Sequence, residues 1–160
     1  MTESSVTAKS PLVPPRWFIR SVWVGHRALH RLTGGRLGLW LPKDGKWGTL
    51  RLTTVGRRSG QERNAILGYL EDGENLVTLA MNGWGGPEPA WWLNLLAHPD
   101  ATVKLADGPR PVHARAAVGA ERDRLWSRFR GQQAWGGTAI DGFAQRRPRE
   151  TAVVVFAPRP

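Results

Sequence analysis

The sequence predicts a mainly β fold with peripheral helices (α+β), most simply a small antiparallel barrel. Six or seven segments have the alternation or composition of strands, and short turn motifs join several of them. Helical patterns are few and do not alternate with the strands, which excludes a Rossmann fold or another parallel sheet. In such a barrel the strands form the scaffold, so function is expected in the loops and seams.

The 160-residue chain is expected to hold one domain, preceded by a tail. Residues 1–15 are polar and then proline-rich, which predicts a disordered lead-in. Residues 16–32 have the spacing of an amphipathic helix, with apolar side chains on one face and arginines on the other. We therefore expect a single domain over residues 16–160 that begins with this helix.

The remaining elements follow from alternation, turn residues and helix signals. Strand patterns cover residues 48–54, 63–70, 75–81, 101–106, 111–118 and 151–157, and the first three form a meander. Helix patterns cover residues 90–98 and residues 120–130. The first helix is expected to begin after Pro89 and to end before Pro99.

Composition excludes several kinds of protein. The sequence has no cysteine, which excludes disulfides and thiol catalysis and suits a cytoplasmic protein. No apolar run approaches the roughly 18 residues of a membrane-spanning helix, and we expect no signal peptide. His26 and His30 lie one helical turn apart but lack a third ligand, so no metal site is expected. His98 and His113 are expected at a helix end and on a strand surface.

The net charge of +10 is concentrated in the first 63 residues. Up to Arg63 the sequence holds twelve Lys and Arg against three Asp and Glu, and after it eleven against ten. Such a surplus indicates an anionic partner, and nucleic acid, an anionic membrane or a phosphorylated cofactor would each satisfy it. The basic residues match no nucleic-acid-binding motif, so we expect no nucleic-acid partner.

The segment TTVGRRSGQERN, residues 53–64, has more arginine than a hairpin turn requires. A turn with Gly56, Ser59 and Gly60 directs backbone N–H groups and a hydroxyl to one place. Arg57 and Arg58, with Arg63 nearby, would add guanidinium groups that bind phosphate oxygens in pairs. The segment matches no P-loop or dinucleotide motif. From these residues alone, an anion site and a solvated turn both remain open.

A second candidate region covers residues 80–99. Its loop GWGGPEP leaves backbone amides and carbonyls free to meet the edge of a planar ring. Trp91, Trp92 and Asn94 lie on the helix that follows. Consecutive helical residues point about 100° apart, so one tryptophan is expected in the core and the other elsewhere. Core packing of both indoles is equally compatible with the pattern.

These two regions together resemble the deazaflavin-dependent nitroreductase family, the split-barrel oxidoreductases that use coenzyme F420. LTTVGRRSGQERNAILGYLEDG is similar to the family pattern TTxGRKSGxxR, and LAMNGWGGPEPAWWLNLLAHPDATVKL to its later SxGG and PxWYxNLxANPxVxV patterns. With RALHRLTGGR before them and VVVFAP after them, the resemblance covers about residues 25–157. It implies a split antiparallel β-barrel of the FMN-binding-like type.

The resemblance implies an F420H2-dependent reductase that transfers a hydride to a small apolar acceptor of the enone, quinone or nitro-aromatic type. Coenzyme F420 is the implied cofactor, and FMN is less favoured; no catalytic side chain is indicated. The implied cofactor-binding residues are Arg57, Arg58, Ser59, Gly60, Arg63, Asn64, Ala65, Leu79, Ala80, Met81, Asn82, Ala90, Trp91 and Asn94. The arginines would hold the cofactor phosphodiester, and Lys43 and Lys46 its polyglutamate tail.

Three departures from the family pattern fall in the implied substrate pocket. Met81 and Asn82 stand where the family usually has Ser-Lys, and Gly68 stands where it commonly has an aromatic residue. The C-terminal stretch FRGQQAWGGTAIDGFAQRRP has no tyrosine. The resemblance therefore implies use of the cofactor but not nitroreduction in particular.

Two alternatives remain. The chain would serve as a non-catalytic deazaflavin carrier if the lost polar residues abolish turnover. Residues 16–32 would also lie on an anionic membrane surface, with or without the enzymatic activity. The expected assembly is a monomer or a homodimer.

Overall fold

The computed structural model describes residues 38–43, 46–132 and 140–160. Within them the strands are β1 (Gly48–Val55), β2 (Glu62–Asp72), β3 (Asn75–Leu79), β4 (Asp100–Leu105), β5 (Gly108–Ala116) and β6 (Val153–Pro158). The α-helices are α1 (Ala90–Ala97), α2 (Gly119–Arg130) and α3 (Ile140–Ala144). The predicted lead-in and the helix over residues 16–32 lie outside this part of the chain. Helix α3 was not predicted.

The six strands form a closed antiparallel barrel in the order β1-β2-β3-β6-β5-β4. Every strand pair in the described ranges is antiparallel. The predicted meander of β1, β2 and β3 is confirmed, and so is a mainly β fold with few helices around an antiparallel barrel. The third strand ends at Leu79 and not at residue 81, because residues 82–84 form a 3-10 turn.

Alternation along the strands builds the core inside the barrel. Leu50 and Leu52 are fully buried, whereas Arg51 between them is partly exposed. Helix α1 adds Trp92 and Leu95 to the same cluster. The helix that follows the glycine-rich loop is therefore fixed to the barrel by its apolar face.

A second core lies outside the barrel, beneath α2 and α3. Trp126 and Phe129 of α2 and Ile140 of α3 pack against the outward-facing residues of β2, β3 and β6. Trp47, just before β1, meets Phe129 edge to face with ring centroids 5.0 Å apart. No helix within the described ranges is both long enough and apolar enough to cross a bilayer.

The chain direction brings three segments to one end of the barrel. Residues 56–63, here called the arginine turn, include the bend between β1 and β2, where Val55 lies opposite Glu62. Strand β3 runs back toward that end because it is antiparallel to β2. The loop of residues 80–89 and then α1 follow directly. The two candidate regions of the sequence therefore meet in space.

Candidate functional site

The arginine turn is shaped by its own backbone and by a serine hydroxyl. The Gly56 N–H donates to the Gln61 carbonyl, and the Gly60 N–H to the Gly56 carbonyl, both at 2.8 Å. A Cβ at Gly56 would lie 2.8 Å from Ser59 Oγ, so this close approach requires glycine. Gly60 has a φ of +67°, which also favours glycine. Ser59 Oγ accepts hydrogen bonds from the Gln61 N–H at 3.3 Å and from Arg63 Nη2 at 3.4 Å.

The arginines of this turn lack acidic partners. Within the described ranges no carboxylate lies within 4.0 Å of Arg57, Arg58 or Arg63. Elsewhere arginines do pair with an Asp or Glu: Arg110, Arg115, Arg122, Arg124, Arg128, Arg130, Arg147 and Arg159. The segment also contains Glu62, which pairs with none of them, so a net positive charge remains there and a bound anion would reduce the repulsion among the arginines. The turn therefore has the electrostatics of an anion site.

Asn94 connects α1 to the arginine turn. Its Oδ1 accepts hydrogen bonds from the backbone N–H and from Nη1 of Arg57, both at 3.2 Å, and its Nδ2 donates to Thr54 Oγ1 at 3.2 Å. The residue is only 4% exposed. The amide of Asn94 therefore lies against the turn and orients Arg57, while the contact with a bound ring that the resemblance implied for Asn94 stays a prediction.

Strands β2 and β3 separate along the half of the barrel nearest the arginine turn. The β2–β3 ladder has only three residue pairs, and they lie at the end of the barrel far from the arginine turn. The β1–β2 ladder, in contrast, extends from Glu62 to Tyr69. Thr78 Oγ1 donates to the Gly68 carbonyl at 2.6 Å, which bridges the two strands at that level. Beyond it, the backbone groups of residues 64–67 that point away from β1 lie along a stretch where β2 has no ladder with β3, here called the seam. They have no β3 ladder partner and can bind a ligand.

The implied cofactor residues lie on both sides of the seam. On the β2 side, Asn64 is exposed and Ala65 is half-buried. On the β3 side, Leu79 and Ala80 are buried in the two cores. The Ala80 N–H donates to the Ala152 carbonyl at 2.9 Å. Leu79 and Ala80 thus fix the strand end and present no side chain to the surface.

The loop after β3 contains a left-handed run. Asn82, Gly83 and Trp84 have φ values of 47°, 61° and 62°, a region that is costly for the two residues that are not glycine. The Asn82 amide donates to the Pro87 carbonyl at 3.0 Å. The Trp84 ring stacks on Phe143 of α3, with centroids 5.7 Å apart and planes 16° apart. Contacts with α3 thus help to hold the loop.

Helix α1 directs its two tryptophans differently, as the spacing predicted. Trp92 is 6% exposed and belongs to the interior core. Trp91 is half-buried at the margin of that core, with its ring 6.4 Å from that of Trp92. Ala90 is exposed at the first position of the helix. Trp91 and Ala90 are therefore the α1 residues that can face a ligand beside the loop.

Gly68 has no room for a side chain because Trp47 occupies the space beside it. A Cβ at Gly68 would lie 2.6 Å from Trp47 Cε3. An indole from the segment before β1 thus fills the volume that an aromatic side chain on β2 would take. Met81 is half-buried and packs against the same outer core.

The histidines lie away from the seam or outside the described ranges. His98 ends α1, and His113 is exposed on β5 with Nδ1 2.8 Å from Asp100 Oδ1, so both surface positions are confirmed. His26 and His30 lie outside the described residues.

Arg147 contacts the loop of the candidate site, and the sequence did not reveal this contact. Arg147 lies in the stretch QRRPRE, which has the appearance of an exposed basic run. Its side chain is nevertheless fully buried, and burial lowers the pKa of its guanidinium from the ordinary value. Its partners are backbone carbonyls of the loop after β3, more than sixty residues earlier. No local pattern encodes contacts at that separation.

Comparison with known sequences gives a family. Residues 23–158 match the family model described as F420H(2)-dependent quinone reductase. An F420H(2)-dependent quinone reductase of Mycobacterium tuberculosis is 31% identical over 150 residues, which cover 90% of this chain and 97% of that protein.

Solved structures agree on the fold. An F420-H2 dependent reductase, FDR-A, superimposes with a TM-score of 0.58 at 23% identity, over 74% of this chain and 99% of that one. A structure described as a domain-swapped dimer gives a TM-score of 0.60 at 23% identity, over 86% and 98% of the two chains. The match to the family model and the similarity to the M. tuberculosis protein together show that the chain belongs to the F420H(2)-dependent quinone reductase family.

Proposed function

We propose that this F420-dependent oxidoreductase passes reducing equivalents from F420H2 to a small apolar acceptor of the quinone type. Family membership supports the enzyme class and the cofactor. The structural observation that supports cofactor binding is the arginine turn. Arg57, Arg58 and Arg63 stand there without acidic partners in the described part of the chain.

The arginine turn fits the anionic part of the cofactor. Arg58 and Arg63 are exposed, and Ser59 Oγ adds a hydroxyl between them. A hydrogen bond to a charged group contributes about 1.5–3 kcal/mol, and micromolar affinity corresponds to about 8 kcal/mol. Contacts between these groups and a phosphodiester would supply a large part of such an affinity.

The seam fits the planar part of the cofactor. Backbone groups of Asn64 and Ala65 would meet the edge of the ring, with Met81 and Asn82 across the seam. Trp91 would cover a face of the ring and exclude water from it. The arginine turn and the seam lie at the same end of the barrel, so one extended cofactor can reach both.

The side chains at the seam position the reactants and do not exchange protons. Asn64, Met81, Asn82 and Trp91 have no group that titrates near neutral pH. When bound, the reduced deazaflavin supplies a hydride equivalent. Oxidation of the cofactor also releases an N–H proton, and reduction of a quinone to a hydroquinone takes one up, so the reaction balances; we assign both proton exchanges to solvent. The protein then contributes orientation and a dry surface.

Parallel titrations test the cofactor assignment. Purified protein is titrated with F420, FMN and FAD, and the bound fraction is followed by fluorescence quenching. We expect saturable binding of F420 and weaker binding of FMN and FAD. Binding of FMN as tight as that of F420 would contradict the assignment.

Turnover tests the substrate class and the carrier alternative. Oxidation of F420H2 is followed with a naphthoquinone, a cyclic enone and a nitroaromatic compound. We expect the quinone to react fastest. If F420 binds but no acceptor in the panel is reduced, the carrier alternative replaces the reductase.

Contact with an anionic membrane remains a prediction, because residues 16–32 lie outside the described ranges. The neighbouring segment exposes Trp40 and Leu41 close to Lys43 and Lys46. The two lysines are joined by backbone hydrogen bonds of 3.2 and 2.8 Å and remain our candidates for the polyglutamate tail. Co-sedimentation with anionic liposomes, with and without residues 1–32, tests the membrane contact. Equal sedimentation of the two forms would remove it.

A further inference from the structure

Arg147 is a buried cation in an otherwise exposed stretch. Its side chain has no exposed surface, whereas Arg146 and Arg149 beside it are exposed. Burying a guanidinium is costly unless its N–H groups find acceptors. The nearby Glu88 carboxylate, with Oε2 at 3.8 Å from Nη2, partly compensates the charge.

The acceptors of Arg147 are concentrated in one loop. Its Nε donates to the Gly85 carbonyl at 2.9 Å, its Nη1 to the Ala80 carbonyl at 3.0 Å, and its Nη2 to the Pro87 carbonyl at 3.4 Å. Nη1 also donates to Thr151 Oγ1 at 2.7 Å. A planar guanidinium offers donors in a fixed fork. These three carbonyls are therefore held at fixed relative positions.

The loop requires such support because its own conformation is strained. The left-handed φ values are unfavourable for a bulky residue such as Trp84 and less so for Asn82. Such a conformation persists only where surrounding contacts determine it. Arg147 holds the loop on both sides of this run, at Ala80 before it and at Gly85 after it.

We propose that Arg147 is a positioning residue for the chromophore half of the cofactor. It holds residues 80–88 in the shape that lines the seam, while the arginine turn separately holds the phosphate half. Arg147 touches neither the cofactor nor the substrate and acts through the loop. This inference rests on the proposed function.

The two halves of the cofactor give different readouts. Dissociation constants are measured for intact F420 and for its deazaflavin part with the ribityl chain, which lacks the phosphodiester and the tail. For Arg147→Met we expect both constants to rise by a similar factor, about tenfold, the equivalent of one charged hydrogen bond. For the double variant Arg57→Ala with Arg58→Ala, only the constant for intact F420 should rise. Arg149→Met removes the same charge two positions away and should change neither.

A second readout needs no cofactor. Amide hydrogen exchange in residues 82–88 of the free protein should be faster in Arg147→Met than in the wild type, with exchange in β1 and β5 unchanged. Arg147→Lys keeps the positive charge but lacks the planar, forked donors of a guanidinium. We therefore expect it to show fast exchange and weak cofactor binding, as Arg147→Met does. If Arg147→Met does not fold, the lysine variant alone provides the test.

The possible outcomes distinguish a failure of the proposed function from a failure of the positioning role of Arg147. If the wild type binds neither compound, the proposed function is wrong and this inference falls with it. If the wild type binds both, but Arg147→Met or Arg147→Lys keeps both constants within twofold, only the positioning role is overturned. A rise confined to intact F420 would also overturn it, since Arg147 would then act on the phosphate half.

Discussion

Asn94 Oδ1 accepts two hydrogen bonds from Arg57, one from its backbone N–H and one from its guanidinium, both at 3.2 Å. The two residues are 37 positions apart in the chain. Helix α1 therefore sets the direction of an arginine on a different connection of the barrel. The helix that borders the seam and the turn that attracts the anion are mechanically coupled through one buried amide.

Asn94→Ala should weaken F420 binding through Arg57. Losing hydrogen bonds to a charged partner costs about 1–2 kcal/mol, so we expect the dissociation constant to rise by about fivefold to thirtyfold. The same substitution in an Arg57→Ala background should raise the dissociation constant by a clearly smaller factor, because the guanidinium that Asn94 orients is absent there and only the backbone hydrogen bond at residue 57 is lost. Equal losses in both backgrounds would show instead that Asn94 contacts the cofactor itself. Circular dichroism checks that the barrel is retained.

Replacing both Arg57 and Arg58 by alanine should raise the F420 dissociation constant by at least about tenfold, since charged hydrogen bonds to phosphate are lost. The fold should stay intact because neither side chain forms an ion pair in the described part of the chain. Fluorescence-quench titrations at two salt concentrations measure the effect, and added salt should weaken the wild type more than the variant. Arg110→Ala with Arg149→Ala is the charge-matched control. An unchanged titration curve would remove the phosphate assignment.

Gly68→Ala should destabilise the protein by about 1–3 kcal/mol through overpacking. Its Cβ would lie 2.6 Å from Trp47 Cε3. Combining it with Trp47→Leu should recover part of the loss relative to the sum of the single changes. Urea denaturation measures the free energies of unfolding of the wild type, the two single variants and the double variant. Gly142→Ala, where a Cβ meets nothing within 4 Å, serves as the control. Strict additivity in the cycle would contradict the packing of Trp47 over Gly68.

Asp72 should contribute an acid-sensitive part of the stability. It accepts hydrogen bonds from Arg124 at 2.8 and 2.9 Å and from Arg128 at 2.9 Å, and the hydrogen bond from Arg124 is the main cause that lowers its pKa. A carboxylate whose pKa is lower in the folded state stabilises the protein at pH values above its unfolded-state pKa of about 4. This stabilisation is lost as the pH falls through the pKa of the folded state.

Asp72→Asn should therefore lower the Tm at pH 7 by about 2–4 °C, as expected for about 1 kcal/mol. The Tm difference between wild type and variant should shrink below pH 4. Asp123→Asn, an exposed carboxylate on the same helix as Arg124, controls for the change in net charge. A difference that stays constant down to pH 2 would be inconsistent with the ion pair.

Tyr69→Phe should leave the stability at pH 7 unchanged or raise it by about 1 kcal/mol. The Tyr69 hydroxyl is buried without a hydrogen-bond partner among the described residues, and such a group costs stability. Burial is the main cause that raises the pKa of Tyr69 to about 12 from 10.0. Wild-type stability should thus fall as the pH rises above 10, and the phenylalanine variant should lack this component. Urea denaturation at pH 7 and 11 measures both effects. A loss of 2 kcal/mol or more at pH 7 would indicate that the hydroxyl has a partner.

Local pattern was sufficient for the barrel and for the arginine turn. Alternation and turn residues located β1, β2 and β3, because strand side chains that alternate between core and surface leave a period of two in the sequence. Gly56 and Gly60 marked a bend that favours glycine, because a Cβ at residue 56 would crowd Ser59 Oγ and residue 60 has a left-handed φ. The resemblance to deazaflavin-dependent oxidoreductases, which rested on this turn and the later helix, is confirmed at the level of the family.

Contacts between distant segments were not predictable. Trp47 fills the space beside Gly68 because the segment before β1 folds over β2, and nothing in either local sequence records that approach. Arg147 is buried by carbonyls from another loop, although it stands in a basic stretch whose other members are exposed. Helix α3 is five residues long and includes a glycine, so its stability comes from packing such as Phe143 on Trp84 rather than from propensity.

Strand β6 closes the barrel, because it pairs with β3 on one side and with β5 on the other. A nascent chain that has left the ribosome only as far as residue 152 already contains the arginine turn, the loop, α1 and Arg147. It lacks β6, so β3 and β5 still present open edges, although β1 can already pair with β4. Leu79 and Ala80, at the end of β3, are buried in cores that include residues of β6. We therefore expect the cofactor site to form only after residues 153–158 have been synthesised.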